Sequence, residues 1–333
     1  MAFSFKLPKI SGDAKGTGAA PGNVSSNATL VAGSLPLPGF MSGQPVIQQM
    51  KVLGGIFVIL LLLIAGLVFH DNRESTHGTA YISASGEMRM LSQRLAKASS
   101  LALQGNPVAF AQLKESRDTF AQLLERLSVG GEITGVSVPA SPESVRPQLE
   151  ALTQRWMATE KDAMTVLGQE KSLIGLGKNV ASIDTTNAVM LELTEQVAAL
   201  KLQSGAAARE IAAANQLVML TQRTAKNAAA LLVGDEINPE VAFLLGKDTN
   251  AFRDILQGLS NGSEALRLSG NNDADTREKL NELNAAFKGY QEAIAGILGN
   301  MQPLVLSKQA GSRIFRESDN LLKATDDLQL GYQ

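Results

Sequence analysis

The sequence predicts an all-α protein, with one transmembrane helix followed by two tandem four-helix-bundle modules joined by a long continuous helix. Three observations carry this expectation. Beyond residue 80 the chain is dominated by Ala, Leu, Gln, Glu and Lys, and its hydrophobic content is 44% while aromatic content is only 5%. That mix suits long helices and suits sheets poorly. A single charge-free apolar run lies near the N-terminus. A polar octapeptide also occurs twice: Met90-Leu91-Ser92-Gln93-Arg94-Leu95-Ala96-Lys97 returns as Met219-Leu220-Thr221-Gln222-Arg223-Thr224-Ala225-Lys226, 129 positions later. A fixed-period echo of that kind marks a duplicated unit.

Residues 1–50 carry Pro8, Pro21, Pro36, Pro38 and Pro45 among Gly, Ser and Asn. Such a segment buries too little apolar surface to offset its ordering entropy and is expected to be a disordered cytoplasmic tail. Residues 52–69 contain no charge over 18 positions, about 27 Å of helix and enough to cross a hydrocarbon core. Lysines precede this run, whereas Asp71, Arg73 and Glu74 follow it. The positive-inside bias therefore places the N-terminus in the cytoplasm and residues 71–333 in the periplasm, with the span in the inner membrane.

From Ser75 onward the pattern is helical. Gly105-Asn106-Pro107 stops the first helix, and a shorter one follows over residues 107–128. Residues 129–142 read as a loop from their Gly and Pro content. Ser141-Pro142-Glu143 opens a third helix, with Ser141 as N-cap and Pro142 in the first turn. Gly175 and Gly177 are expected to interrupt or end it. Residues 179–233 hold no Pro and one Gly, Gly205, and read as one helix of about 80 Å.

The echo extends well beyond the octapeptide. Asn106-Pro107 returns as Asn238-Pro239, Phe120 as Phe252 and Gly130 as Gly262, 132 positions apart. At an offset of 131, Arg146, Leu149 and Leu152 return as Arg277, Leu280 and Leu283, Trp156 as Phe287, Ile183 as Ile314 and Thr194 as Thr325. Small drifts in offset are what loop insertions between duplicated helices produce. Module 1 is thus expected over residues 71–200 and module 2 over residues 201–333. Four amphipathic helices per copy can close a bundle. The last helix is expected to continue past Gln333.

Several function classes are excluded by composition. A net charge of −2 offers nothing to a polyanion, so no nucleic-acid partner is expected. The absence of Cys removes disulfides and thiolate catalysis, and His70 and His77 have no nearby carboxylate set to complete a metal site. No P-loop, GxGxxG, HExxH or GxSxG pattern occurs, so no enzyme, cofactor or metal is expected.

The repeated box is the candidate site. Arg89, Gln93 and Lys97 stand at i, i+4 and i+8 on one helical stripe with Ser92 beside it, while Leu91, Leu95 and Ala98 face a core. Arg94 lies about 140° around the helix from Arg89 and cannot share a small site with it. A basic stripe with an amide and a hydroxyl is donor-rich and suits an anion. The alternative is a solvated face whose cations pair with acids on neighbouring helices, each exposed pair contributing about 0–1 kcal/mol.

The run Ser85-Gly86-Glu87-Met88-Arg89 and the octapeptide that follows it resemble the PilJ-type sensory domain. That domain occurs in type IV pilus methyl-accepting chemotaxis transducers and, in related form, in nitrate-sensing histidine kinases. The resemblance runs through both copies, residues 71–333. It implies the input region of a chemoreceptor-like transducer controlling type IV pili and twitching motility. It also implies a homodimer, and a cytoplasmic chemotaxis-type kinase reached through a region absent from this chain. The stimulus would be pilin, another pilus component, or a small anion such as nitrate.

In single-copy relatives the arginine equivalent to Arg89 reaches the anion at the dimer interface. Two guanidiniums ~6 Å apart repel by roughly 3 kcal/mol at an effective dielectric near 20, and an anion between them reverses the sign. Val218 occupies that position in copy two, so Gln222, Arg223 and Lys226 there, with Arg94 in copy one, are expected to be framework. Other readings of the same residues are the sensor of a nitrate-type histidine kinase and a membrane-anchored periplasmic scaffold that binds another protein.

Overall fold

The computed structural model describes residues 45–233, 237–271 and 273–333. The expected disordered tail falls mostly outside them. Its last residues do not stay irregular, because α1, Val46–Leu103, begins directly after Pro45. Proline is well suited to that place, having a fixed φ and no N–H to leave unpaired. The helices α2, Pro107–Val129, α3, Arg146–Gly168, α4, Glu170–Gln203, α5, Ala208–Val233, α6, Pro239–Asn261, α7, Ala274–Gly299, and α8, Met301–Gly331, follow. The all-α class stands. The chain divides into two units at residues 67 and 68. The apolar run, all but its last two residues in the first unit, is exposed along its whole length, and its most apolar stretch has a mean hydropathy of 3.1, as a lipid-facing helix requires.

Local chemistry sets the helix ends in the second unit. The Asn106 side chain accepts from the Val108 N–H and Pro107 opens α2; Asn238 and Pro239 do the same for α6 through the Glu240 N–H. Both helices stop at a glycine with φ +90, Gly130 and Gly262. The loop expected at residues 129–142 contains a small antiparallel hairpin, β1, Gly131–Ile133, with β2, Val136–Val138. Its Thr134-Gly135 turn has positive φ at both residues, which matches the twist of short hairpins. Ser141 does not cap the third helix: its hydroxyl bonds the Tyr332 hydroxyl at 2.6 Å, and a 3₁₀ turn, Glu143–Val145, leads into α3.

The long continuous helix expected over residues 179–233 is broken at Gly205. Gly205 adopts φ +65, and the N–H groups of Ser204, Gly205 and Ala206 close onto the carbonyls of Leu200, Leu202 and Lys201. This left-handed helix ending is cheap only for glycine, and it sends α5 back along α4. The continuity lies elsewhere. Between α3 and α4 there is only Gln169, at φ −103 and ψ 12, and between α7 and α8 only Asn300, at φ −105 and ψ 17. These are bends, not reversals. Gly175 and Gly177 sit inside α4 and end nothing.

Because α3 cannot fold back onto α4, the fourth helix of each sequence repeat packs with the other repeat. The bent rods α3–α4 and α7–α8 run antiparallel, held by Arg313 to Asp162 and Arg155 to Glu317 on one side of the bends and by Asn179 against Gly296 on the other. One bundle is therefore α1, α2, α3 and α8, and the other is α4, α5, α6 and α7. Each has a stacked aromatic pair at the same place: Phe120 and Trp156, centroids 4.1 Å apart, and Phe252 and Phe287, 4.6 Å apart. Such pairs add about 0.5–1.5 kcal/mol beyond the area they bury.

Candidate functional site

The box of copy one lies on α1 where it packs against α8 and α2. Arg89, Gln93 and Lys97 are all exposed, at i, i+4 and i+8 on one ridge of the helix. Arg89 is not free: its Nε lies 3.1 Å from Asp326 Oδ1 on α8. Ser92 is not part of the ridge. It is buried, and its hydroxyl donates to the Arg89 carbonyl at 2.7 Å. Short hydroxyl side chains satisfy themselves on the preceding helical turn in this way when they face a core. Thr221, the equivalent residue, does the same with Leu217. The hydroxyl of the box is thus a packing residue, and the donor set presented to solvent is Arg89, Gln93 and Lys97.

Arg94 points to the opposite side and donates to Glu115 of α2 at 2.7 Å. Arg223 makes a two-pronged pair with Asp248 of α6, whose carboxylate is almost fully buried. The hydrogen bonds that the guanidinium donates to this carboxylate raise the Arg223 pKa above its already high ordinary value. A forked guanidinium on a buried acid is the strong form of the interaction. Gln222 and Lys226 are exposed, and Val218 is half-buried where Arg89 stands in copy one. Copy two therefore presents an amide and an ammonium to solvent without the first arginine.

Asp326 is the residue that the sequence reading missed. Its equivalent in copy one is Glu195, 131 positions earlier, so an acid stands there in both repeats. That shared acid was a usable signal, but its partner could be named only once α8 was known to lie beside α1. Met90, next to Arg89, is 57% exposed and adds apolar surface to the ridge. Among the described residues, no group of three or more His, Cys, Asp or Glu is disposed to hold a metal ion.

Comparison with known proteins meets the same two segments. The family described as "PilJ: Type IV pili methyl-accepting chemotaxis transducer N-term" matches residues 72–180 and again residues 200–312. The chain is 30% identical over 290 residues to Protein PilJ of Pseudomonas aeruginosa, covering 86% of this chain and 42% of that protein. It is 25% identical over 275 residues to a protein of Alcanivorax borkumensis assigned as methyl-accepting chemotaxis AlkN, covering 82% of this chain and 39% of the relative. The chain thus spans less than half the length of either relative.

Proposed function

Because the chain belongs to the family of type IV pili methyl-accepting chemotaxis transducer N-terminal regions, we propose that it is the sensory input region of an inner-membrane transducer controlling type IV pili and twitching motility. The observation that carries this reading is the double family match, in register with the two repeats and downstream of a single apolar span. Residues 1–50 stand in the cytoplasm, residues 52–69 cross the membrane and the helical repeats over residues 71–200 and 201–333 lie in the periplasm. The chain performs no chemistry; it binds and relays. A homodimer formed along the exposed ridge of α1 passes the change to a cytoplasmic chemotaxis-type kinase through a region outside this chain. Pilin or another pilus component is one stimulus this arrangement suits.

The ridge supports a small anion such as nitrate as a second stimulus. Arg89, Gln93 and Lys97 offer donors from one helix, and a two-fold mate brings a second Arg89. Asp326, at 3.1 Å, occupies the Arg89 guanidinium, so an anion has to displace it. That exchange ties ligand binding to the α1–α8 contact, and a coupling of about 1–3 kcal/mol is sufficient for a sensor.

The function is tested in the host by deleting the codons for residues 71–333 in frame and measuring twitching zones. Loss or clear alteration of twitching, with the remaining protein still in the membrane, is expected. Unchanged twitching would contradict the assignment.

A further inference from the structure

A cavity of about 600 Å³ opens between the first turn of α6 and the first half of α8. Its floor is apolar: Ile237, Pro239, Ala242, Met301 and Val305. Its other wall is a run of polar side chains on α8, Lys308, Gln309, Ser312, Arg313 and Arg316, with no carboxylate among the described lining residues. Lys308 is buried and donates to the Leu232 carbonyl at 3.2 Å, and Arg313 is held by Asp162. Arg316 is exposed and, among the described residues, bonds the Ser312 carbonyl of its own helix through Nε at 3.4 Å.

The duplication supplies an internal control for this cavity. Leu113 and Leu245 are both fully buried, as are Leu173 and Leu304, so the registers of α2 with α6 and of α4 with α8 are fixed. In those registers Ala242 corresponds to Phe110, which is 1% exposed and fills the equivalent place in the other copy. The tripeptide Val-Ala-Phe occurs in both helices, at residues 108–110 and 241–243, but one position later relative to Asn-Pro in α6. One residue is about 100° of helix. That rotation takes the phenyl ring out of the core, and Phe243 is 67% exposed. On the facing helix Lys308 replaces Gly177, whose backbone touches the Gly105 turn, and Arg316 replaces Thr185. Phe110 and the close approach of Gly177 to Gly105 occupy this place in copy one, whereas Ala242 leaves it open in copy two and Lys308 and Arg316 line it.

We infer that this cavity is a binding site for a small anion with an apolar body, such as an aromatic carboxylate, the ring on the Ala242 floor and the carboxylate at Arg316. Concave, mostly apolar pockets of this size with a few convergent polar groups are the usual form of small-molecule sites. The site is separate from the Arg89 ridge and goes beyond the sensory assignment, whose own test is independent of it.

The test uses residues 1–333 in nanodiscs, with 2-naphthoate as probe, 2-naphthamide as its neutral counterpart and empty nanodiscs as the partition control. Saturable binding of 2-naphthoate is expected by titration calorimetry. Ala242→Phe, which restores the side chain of the closed copy, should lower the affinity at least about tenfold while the melting temperature holds. Arg316→Gln should weaken 2-naphthoate about tenfold and leave 2-naphthamide unchanged. Because Arg316 is exposed, that variant serves even if Ala242→Phe does not fold. Absence of saturable 2-naphthoate binding in the millimolar range, undiminished binding by a folded Ala242→Phe, or equal affinity for the amide would each overturn the inference.

Discussion

The two bundles share a scaffold and differ at their tips. In the bundle of α1, α2, α3 and α8, Tyr81 stacks on Tyr332 with centroids 5.0 Å apart, and Tyr81 also donates to the Pro139 carbonyl at 2.9 Å. The equivalent positions in the other bundle are Glu210 and Lys201, offset by 129 and 131. There Lys201 Nζ donates to Glu210 at 2.9 Å and to Asn271 at 3.2 Å, with Ser269 completing the carboxylate. The same backbone junction is thus closed once by aromatic stacking and once by a buried ion pair. Phe120 with Trp156 and Phe252 with Phe287, by contrast, are nearly the same contact twice. The rings that close each core recur, while the residues at the tips and at the midpoint were free to diverge. Function is to be sought in the divergence.

The largest effect is expected from breaking the buried pair. Lys201→Met leaves Glu210 buried without its cation and should cost about 3–5 kcal/mol in urea unfolding. The double variant Lys201→Tyr with Glu210→Tyr copies the other tip and should recover most of that loss. If the single and double variants are equally unstable, the two tips are not interchangeable solutions.

The tips should also respond to pH in opposite directions. Burial opposes ionisation of Glu210, but hydrogen bonds from Ser269 and Lys201 and the Lys201 charge outweigh it and hold the carboxyl below its ordinary 4.5. Its contribution is present above that ordinary value and is lost as pH falls through the lower folded value. Asp273, lowered by hydrogen bonds from Thr276, shares this acid limb. Burial pushes the Tyr332 hydroxyl up to about 12 from 10.0, and the Tyr81 hydroxyl upward as well. Their contribution is complete below the ordinary value and is lost as pH rises through the folded one. Melting curves by circular dichroism should therefore show the double-tyrosine variant losing less stability in acid and more in alkali than the parent.

How much of this was legible follows from the kind of signal each feature leaves. The duplication, the Asn-Pro helix starts and the aromatic core pairs are local or periodic, so Asn106, Asn238, Phe120 and Phe252 could be placed from the sequence. Whether a helix end bends or reverses is decided by one residue's backbone. Gly205 reverses the chain at φ +65, while Gln169, with no special composition, only bends it. That single difference exchanges α4 and α8 between the repeats, so Asp326 could not be assigned to Arg89 beforehand. The one-residue shift that turns Phe243 outward was equally hidden, because the tripeptide itself is unchanged.

The smallest stability effect is expected at the ridge. Arg89→Ala removes an exposed pair with Asp326 and should change unfolding stability by less than about 1 kcal/mol. In calorimetric titration with nitrate the same change should abolish any binding by residues 1–333. Val218→Arg, which gives copy two the missing arginine, sharpens the comparison by asking whether a second site appears. Absence of nitrate binding by the parent chain would remove the anion reading and leave protein sensing.

The central structural claim is the exchange of α4 and α8 between the repeats, and the chain's lack of native cysteine makes it directly measurable. A short bifunctional thiol reagent should join Tyr81→Cys to Tyr332→Cys within one chain, and should not join Tyr81→Cys to Lys201→Cys, the pair that a tandem arrangement would bring together. Efficient intrachain linkage of residue 81 to residue 201, with none to residue 332, would contradict the account.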